Sequence, residues 1–337
     1  MAKYLITGPS WVGDMVMAQS LFTTIKQREP EAIIDVVGPA WSAPIVRRMP
    51  EVRRVIVLDS QHGKWGFGSR YRLGRVLAKE KYDKAIVLPR SWKSALVSYF
   101  ARIKHRIGFH GEQRFFLLNE RRRLDRKLLD QTVKRFVSLG LPIDEAYPPA
   151  QIPHPSLTIN QTASKATIER LNLRTDRPAV ALMPGAEYGP AKQWPLEYFR
   201  ILAEYFLEKK YQVWVLGSAK DYPAGEKITL GLRGDSHNLC GRTELEEVID
   251  LLSETTMAIT NDSGLMHIAA AVGTHIHAIY GSTSEDFTPA LSKKVNAHNL
   301  HLACSPCFKR VCPLGHTNCL KKITPEHLIR AIDTTTI

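Results

Sequence analysis

The sequence predicts an α/β chain made of two halves, each built on a parallel sheet. Three observations carry this. Short apolar runs suited to buried strands alternate with longer stretches suited to helices. The runs end in loops rich in Gly, Pro and Ser, the places where open parallel sheets hold ligands. A proline cluster (Pro142, Pro148, Pro149, Pro153, Pro155) interrupts the pattern once, as a linker would, and the charge balance changes there. With 337 residues, 44% of them hydrophobic, the chain can bury two cores and is not disordered by composition.

In the first half, Lys3–Thr7 reads as a buried strand. The loop Gly8-Pro9-Ser10-Trp11-Val12-Gly13-Asp14 follows, then a helix to about Arg28 and a strand at Ile33–Val37. This β-loop-α-β opening implies a parallel sheet. The Gly-x4-Gly spacing is neither a dinucleotide fingerprint nor a phosphate P-loop, which disfavours a nicotinamide-dependent enzyme. Gly8 and Gly13 let a bulky ligand approach the backbone. Asp14 is expected at the mouth of the sheet and at a helix start, where the dipole favours a carboxylate. Further strands are expected at Val55–Leu58 and Lys84–Leu88, the latter entering Pro89–Ser94, with a short apolar stretch at Ile107–Phe109. Around these lie Lys64, Arg70, Arg72, Arg90, Lys93, Lys104, Arg106, Arg114, Arg121, Arg122 and Arg123. Several of them read as residues of loops that follow strand ends, some able to line the same cleft as Asp14 and others plain surface charge. The boundary is placed between domains 1–157 and 158–337.

In the second half the strand Ala179–Met183 enters the loop Pro184–Pro195. Pro195 suits the first turn of a helix running to about Glu208. Gln212–Leu216 enters Gly217-Ser218-Ala219-Lys220-Asp221, and Leu239–Gly241 and a helix near Leu245–Glu254 follow. The strand Met257–Thr260 meets Asn261-Asp262-Ser263-Gly264, residues that start helices, and the small-residue helix Leu265–Val272. Free N–H groups at that start attract anions. His275–Tyr280 is the last clear strand, ending in Gly281-Ser282-Thr283.

Charge is distributed unevenly. Up to Leu157 there are 27 Lys and Arg against 14 Asp and Glu; beyond it, 19 against 19. The excess in the first half points to an anionic partner: a phosphorylated substrate, an anionic membrane surface or nucleic acid. The basic residues are scattered through an α/β domain without any RNA- or DNA-binding motif, so a nucleic-acid partner is not expected. The opening Met-Ala-Lys-Tyr-Leu-Ile-Thr-Gly reads as a strand and not a signal peptide, and no apolar run approaches 18 residues. A cytoplasmic chain is therefore expected, with its five cysteines as thiols or metal ligands rather than disulfides. Cys304-x2-Cys307-x4-Cys312-x6-Cys319, enclosing His316, is dense enough for a structural metal but matches no common zinc module, and both readings stand.

Five segments, in order, resemble glycosyltransferase family 9, the heptosyltransferases. They are Gly8–Asp14, Pro184-Gly-Ala-Glu-Tyr-Gly-Pro-Ala-Lys-Gln-Trp-Pro195, Gly217–Asp221, Asn261-Asp-Ser-Gly-Leu-Met-His267 and Tyr280–Thr283. The resemblance spans most of the chain. It implies a GT-B fold: two Rossmann-like domains with parallel sheets facing a central cleft, the acceptor on the basic N-terminal domain and the donor on the C-terminal one. It implies inverting transfer of L-glycero-D-manno-heptose from ADP-heptose to the first heptose of the lipopolysaccharide inner core. A transferase of the family with a different acceptor is the alternative. The partners so implied are ADP-heptose and a phosphorylated lipid A–core acceptor at the cytoplasmic face of the inner membrane.

Inversion needs a base for the acceptor hydroxyl and cationic or N–H support for the departing diphosphate. Asp14 is the best base, at the position where the family carries its catalytic Asp. Lys192, in a Gly/Pro-rich loop just before a helix, is the best phosphate partner. The N–H groups of Ser263, Gly264 and Leu265 suit other diphosphate oxygens. By resemblance Asp262 addresses the donor sugar hydroxyls. Glu187 and Tyr188 share the Lys192 loop and are expected on the donor. His267 is a donor contact or a helix-packing histidine. Asp221 follows a strand end and suits the adenosine ribose. Gly13, Arg90 and Lys93 are expected on the acceptor side. No metal triad stands in the cleft loops, so no obligatory metal is expected, and Mg2+ would act only by screening the diphosphate.

Overall fold

Among the residues described in this computed structural model (1–58, 66–145 and 148–335), twelve strands pair in parallel to form two sheets of six. Lys64 lies outside the described residues. The chain divides into two compact units, Met1–Thr158 and Ile159–Ile337.

In the N-terminal unit the strands are β1 (Lys3–Thr7), β2 (Ile33–Gly38), β3 (Val52–Val57), β4 (Lys84–Val87), β5 (His105–Phe109) and β6 (Glu120–Arg122). Their spatial order is β3-β2-β1-β4-β5-β6. β1 lies at the centre, and Leu5 and Ile6 are fully buried. Such an apolar run suits a strand covered on both faces, and each buried aliphatic side chain contributes about 1.5–3 kcal/mol. The helix Val12–Arg28 returns the chain from β1 to β2, burying Met15, Leu21, Phe22 and Ile25. Its first turn carries Asp14 and its last turn Lys26 and Arg28, both signs favourable to the dipole.

The C-terminal unit repeats the plan with β7 (Ala179–Met183), β8 (Gln212–Val215), β9 (Ser236–Asn238), β10 (Thr255–Asn261), β11 (His275–Ile279) and β12 (Val295–His298), in the order β12-β11-β10-β7-β8-β9. Its core gathers Val180, Leu182, Trp194, Phe199, Phe206, Val213, Ile259 and Leu328. These are the two Rossmann-like units of the GT-B class.

In both units the strand order reverses beside the first strand. β1 leads outward to β2 and β3, then the chain returns to β4 on its other side; β7 leads to β8 and β9, then returns to β10. The carboxyl ends at these two switch points, β1/β4 and β7/β10, are where an open parallel sheet leaves a crevice. The helix that follows the loop after β1 carries Asp14 in its first turn, and the segment after β4 carries Arg90 and Lys93. The loop after β7 carries Lys192, and the loop after β10 carries Asp262.

Most expected strands form within one to three residues of their sequence bounds. Three were not read as strands: β6, β9 and β12. Glu-Arg-Arg, Ser-His-Asn and Val-Asn-Ala-His lack an apolar run because β6, β9 and β12 stand at or beside the sheet edges, where burial is partial. The helix expected from Pro195 begins at Leu196, and Pro195 stands just outside it as its N-cap.

The basic residues of the first half are placed less uniformly than the loop reading expected. Arg70 and Arg72 lie in the helix Phe67–Leu77, with Arg70 buried, and Arg106, Arg121 and Arg122 lie in strands. Arg114 is buried, and donates to the carbonyls of Pro89 (2.7 Å) and Phe109. Burial and the neighbouring Arg90 push its pKa down to about 10. Arg70, Arg106, Arg114 and Arg122 each donate to a backbone carbonyl and are structural.

Candidate active site

The C-terminal site is built on Asn261, the last residue of β10. Its side chain is fully buried. Nδ2 donates to the Pro184 carbonyl (2.6 Å), and Oδ1 accepts from the Trp194 N–H (3.0 Å). One amide thus fastens both ends of the loop 184–194. The far end is anchored again by Trp194, which is buried and donates through Nε1 to the Ile323 carbonyl at 2.7 Å. Within the loop Gly189 takes φ +150°, and a Cβ there would stand 2.6 Å from the Arg310 carbonyl oxygen, so no side chain fits.

The fastened loop places the Lys192 ammonium 2.6 Å from Asp262 Oδ2 and 3.3 Å from the Asp262 carbonyl. The Asp262 side chain is buried and that of Lys192 largely so, 4% and 14% exposed. Thr283 donates to the same Oδ2 at 2.6 Å. The bonds fall on one oxygen, which leaves Oδ1 for a ligand hydroxyl. Thr283 was not given a role from sequence, although Tyr280–Thr283 stood out as a motif.

The helix Gly264–Val272 starts beside this pair, with Ser263 at its cap. The Ser263 hydroxyl is buried without a partner, as is that of Ser282 next to Thr283. An unpaired buried hydroxyl costs about 1–3 kcal/mol, so both are suited to a ligand. The first N–H groups of the helix face outward at its start, as at any helix N-terminus. His267, one turn in, is buried and held neutral: burial pushes its pKa down to about 4, against the pull of Asp262 and with the push of Lys192. It therefore offers a neutral imidazole beside the ion pair.

The remaining donor-side residues are placed differently. Tyr188 donates to the Phe308 carbonyl (2.8 Å) and carries Lys192 over its ring, 5.0 Å from the centroid. Glu187 pairs with Lys220 at 2.9 Å on the surface. Asp221 closes a capping box, accepting from the Ser218 N–H (2.8 Å) and hydroxyl (2.7 Å) on Oδ2. Its other oxygen packs so closely on Gly185 that a Cβ there would lie 2.8 Å away.

In the N-terminal unit Asp14 is half-buried in the first turn of its helix. The preceding loop is steadied by Trp41, which donates to the Ser10 carbonyl at 2.8 Å, and by the Gly8 N–H, which bonds the Val37 carbonyl at 2.9 Å. Gly13 is buried, between the cap and Asp14. The Leu88 N–H bonds the Thr7 carbonyl (3.1 Å), so the segment with Arg90 and Lys93 starts beside the loop that leads to Asp14. Arg90 donates to the His110 carbonyl at 3.1 Å. A cavity of about 510 Å³ in this unit opens at the opposite end of the sheet, among Tyr4, Lys84, His105 and Glu120. Its polar groups already bond one another, Lys84 to Tyr4 at 2.8 Å and Tyr4 to Glu29 at 2.7 Å, and no role is assigned to it.

The cysteines are all free. Backbone N–H groups nearby, that of Thr317 foremost, lower the pKa of the Cys312 thiol. Among the described residues no three His, Cys, Asp or Glu side chains are grouped to hold a metal ion.

The sequence profile of Glycosyltransferase family 9 (heptosyltransferase) matches residues 70–318. Lipopolysaccharide heptosyltransferase 2 of Escherichia coli K12 is 40% identical over 339 residues, covering 98% of this chain and 97% of that one. Lipooligosaccharide heptosyltransferase 2 of Haemophilus influenzae is 45% identical over 300 residues, 86% of each chain. The solved structure of E. coli ADP-heptose lps heptosyltransferase II superposes with a TM-score of 0.89 at 39% identity, over 98% of both chains. The chain belongs to glycosyltransferase family 9, the heptosyltransferases.

Proposed function

We propose that this enzyme moves L-glycero-D-manno-heptose from ADP-heptose to the first heptose of the lipopolysaccharide inner core, with inversion. The largely buried Lys192–Asp262 pair at the β7/β10 switch point carries the reading. It sets a cation and a carboxylate beside a helix start, the combination a sugar diphosphate needs. Full-length likeness to lipopolysaccharide heptosyltransferase 2 supports the choice of acceptor.

In this reading Lys192 and the N–H groups of Ser263, Gly264 and Leu265 stabilise the charge that grows on the leaving diphosphate. Asp262 Oδ1 and the neutral His267 address heptose hydroxyls. Tyr188 and Glu187 border the donor, and Asp221 shapes the adenosine side through Gly185. Asp14 takes the proton of the acceptor hydroxyl as it attacks the anomeric carbon. Gly13 leaves room for the acceptor, and Arg90 and Lys93 meet its phosphates. The protein supplies this charge itself, so no metal is required and Mg2+ raises the rate only by screening.

The acceptor is lipid-linked, and the N-terminal unit suits an anionic surface. Phe115 and Phe116 are 58% and 88% exposed, with Arg121 stacked on Phe115 at 5.2 Å. No helix among the described residues is long and apolar enough to cross a membrane. We place the enzyme in the cytoplasm, in peripheral contact with the inner membrane.

The test is transfer from ADP-heptose to two purified cores, one ending at the first heptose and one without heptose. Product only on the first supports the proposal. Product only on the heptose-free core would make this a transferase of the first heptose, and product on neither would overturn the reading.

A further inference from the structure

The segment 304–312 folds back over the donor loops. The Arg310 carbonyl accepts the Ala191 N–H (3.0 Å), one residue before Lys192. The Phe308 N–H donates to the Ser282 carbonyl at 2.7 Å, while the Phe308 carbonyl takes the Tyr188 hydroxyl at 2.8 Å. The Ser305 hydroxyl donates to the Gly281 carbonyl. Arg310 is thus fixed through its carbonyl to the Lys192 loop, and its neighbours Ser305 and Phe308 hold the segment to the loop that carries Thr283.

Its side chain completes the arrangement. The guanidinium lies 5.4 Å from the centroid of the Tyr188 ring, and the Lys192 ammonium lies 5.0 Å from the same centroid, so the two cations are within about 10 Å of each other. The aromatic face attracts both and offsets part of their repulsion. Lys192 is already matched by Asp262 at 2.6 Å, so that pair carries little net charge toward a ligand. Arg310 is exposed and, among the described residues, forms no ion pair with a carboxylate. A doubly charged diphosphate calls for net positive charge, and at this site Arg310 is the residue that brings it.

We infer that Arg310 is a second phosphate-binding residue, held on the Tyr188 ring so that its planar fork takes diphosphate oxygens of the nucleotide while Lys192 remains tied to Asp262. A guanidinium matches two phosphate oxygens at once, which an ammonium cannot. The inference rests on the donor-site reading of the C-terminal unit and adds to it the residue that supplies its net charge.

Calorimetric titration of the full-length chain with ADP, AMP and adenosine tests it. Arg310→Ala should weaken ADP by about 10- to 100-fold and leave adenosine within about twofold, the size expected for charged hydrogen bonds to phosphate. Arg310→Lys should recover part of the loss, and the salt dependence of ADP binding should be shallower in Arg310→Ala. The thermal midpoint should not move, because the backbone bonds of Arg310 survive the substitution. An unchanged ADP affinity in Arg310→Ala, or equal loss for adenosine and ADP, overturns the inference while the donor site stands. If the wild-type chain binds neither ADP nor ADP-heptose, the donor-site reading fails and the inference with it.

Discussion

Asp262 holds Lys192 through a single carboxylate oxygen, and Thr283 shares that oxygen. Asp262 is buried and Lys192 largely so, so each charge depends on the other. Removing one partner of such a pair typically costs about 3–5 kcal/mol, because the survivor stays buried. Asp262→Asn should therefore lower the unfolding free energy by about 3 kcal/mol in urea titrations. ADP binding should persist, since Lys192 remains, while the preference for ADP-heptose over ADP disappears. A variant that keeps this preference would remove Asp262 from the sugar side.

Lys192→Ala leaves the Asp262 carboxylate buried opposite the incoming diphosphate, an attraction turned into a repulsion. The expected loss in kcat/KM for ADP-heptose is about 100-fold or more, from a charged hydrogen bond of 1.5–3 kcal/mol plus that repulsion. Both kcat and binding should suffer, because the charge on the leaving group grows through the transition state. Steady-state kinetics with wild-type values would move the phosphate site elsewhere.

Asn261 acts at one remove. Its amide fastens Pro184 and Trp194, the two ends of the Lys192 loop. Asn261→Ala leaves a buried carbonyl and a buried N–H unmatched, a cost of about 3 kcal/mol in all. KM for ADP-heptose should rise while the pH dependence of kcat stays that of the wild type. A shifted pH profile would mean that Asn261 touches the reaction directly.

The sequence carried the central strands and not the pairing. β1 and β7 are continuous apolar runs buried on both faces, so their composition alone declares them. β6, β9 and β12 carry polar residues at or beside the edges, where little apolar signal survives. Lys192 and Asp262 were each legible as ligand-type loop residues. Their 2.6 Å contact was not, because the return of the chain to the β7/β10 switch point brings together residues 70 positions apart. Thr283 and Arg310 were missed for the same reason. Asp221 could have been read more closely: Ser218-x-x-Asp221 has the spacing of a capping box, and the structure uses it as one.

Buried histidines give the C-terminal unit a defined response to acid. His277 Nδ1 lies 3.0 Å from His298 Nε2, and His298 Nδ1 lies 3.2 Å from His327 Nε2, so the rings form a bonded chain with His275 stacked on its end. Burial pushes His277 down to about 3 and His298 to about 4, as it does His267. These folded values lie below the ordinary histidine value near 6.5, so the unfolded chain binds more protons between about pH 4 and 6.5. Stability should therefore be level above pH 7 and fall as the pH drops through that window, by on the order of 3 kcal/mol for His298 alone. Urea midpoints at pH 7.5 and 5 check this. His277→Asn should reduce the difference between them, and an equal difference in that variant would mean that this histidine takes up its proton in the folded chain as readily as in the unfolded one.

Asp14 permits the cleanest chemical test. It is half-buried in the first turn of a helix that is otherwise anchored by Met15, Leu21, Phe22 and Ile25. Asp14→Asn keeps the shape and removes only the charge and its basicity. The loss at the helix dipole is about 0.3–1 kcal/mol, too little to unfold the unit. Turnover should nonetheless fall by roughly 10²–10⁴-fold, the usual contribution of a positioned base. ADP and ADP-heptose affinities should change by less than about twofold, since the donor residues all lie in the other unit's sequence. Raising the pH should recover rate in the variant, because a hydroxyl that no longer has a base must ionise on its own. Near-normal kcat in Asp14→Asn, with the protein folded by circular dichroism, would exclude Asp14 as the base.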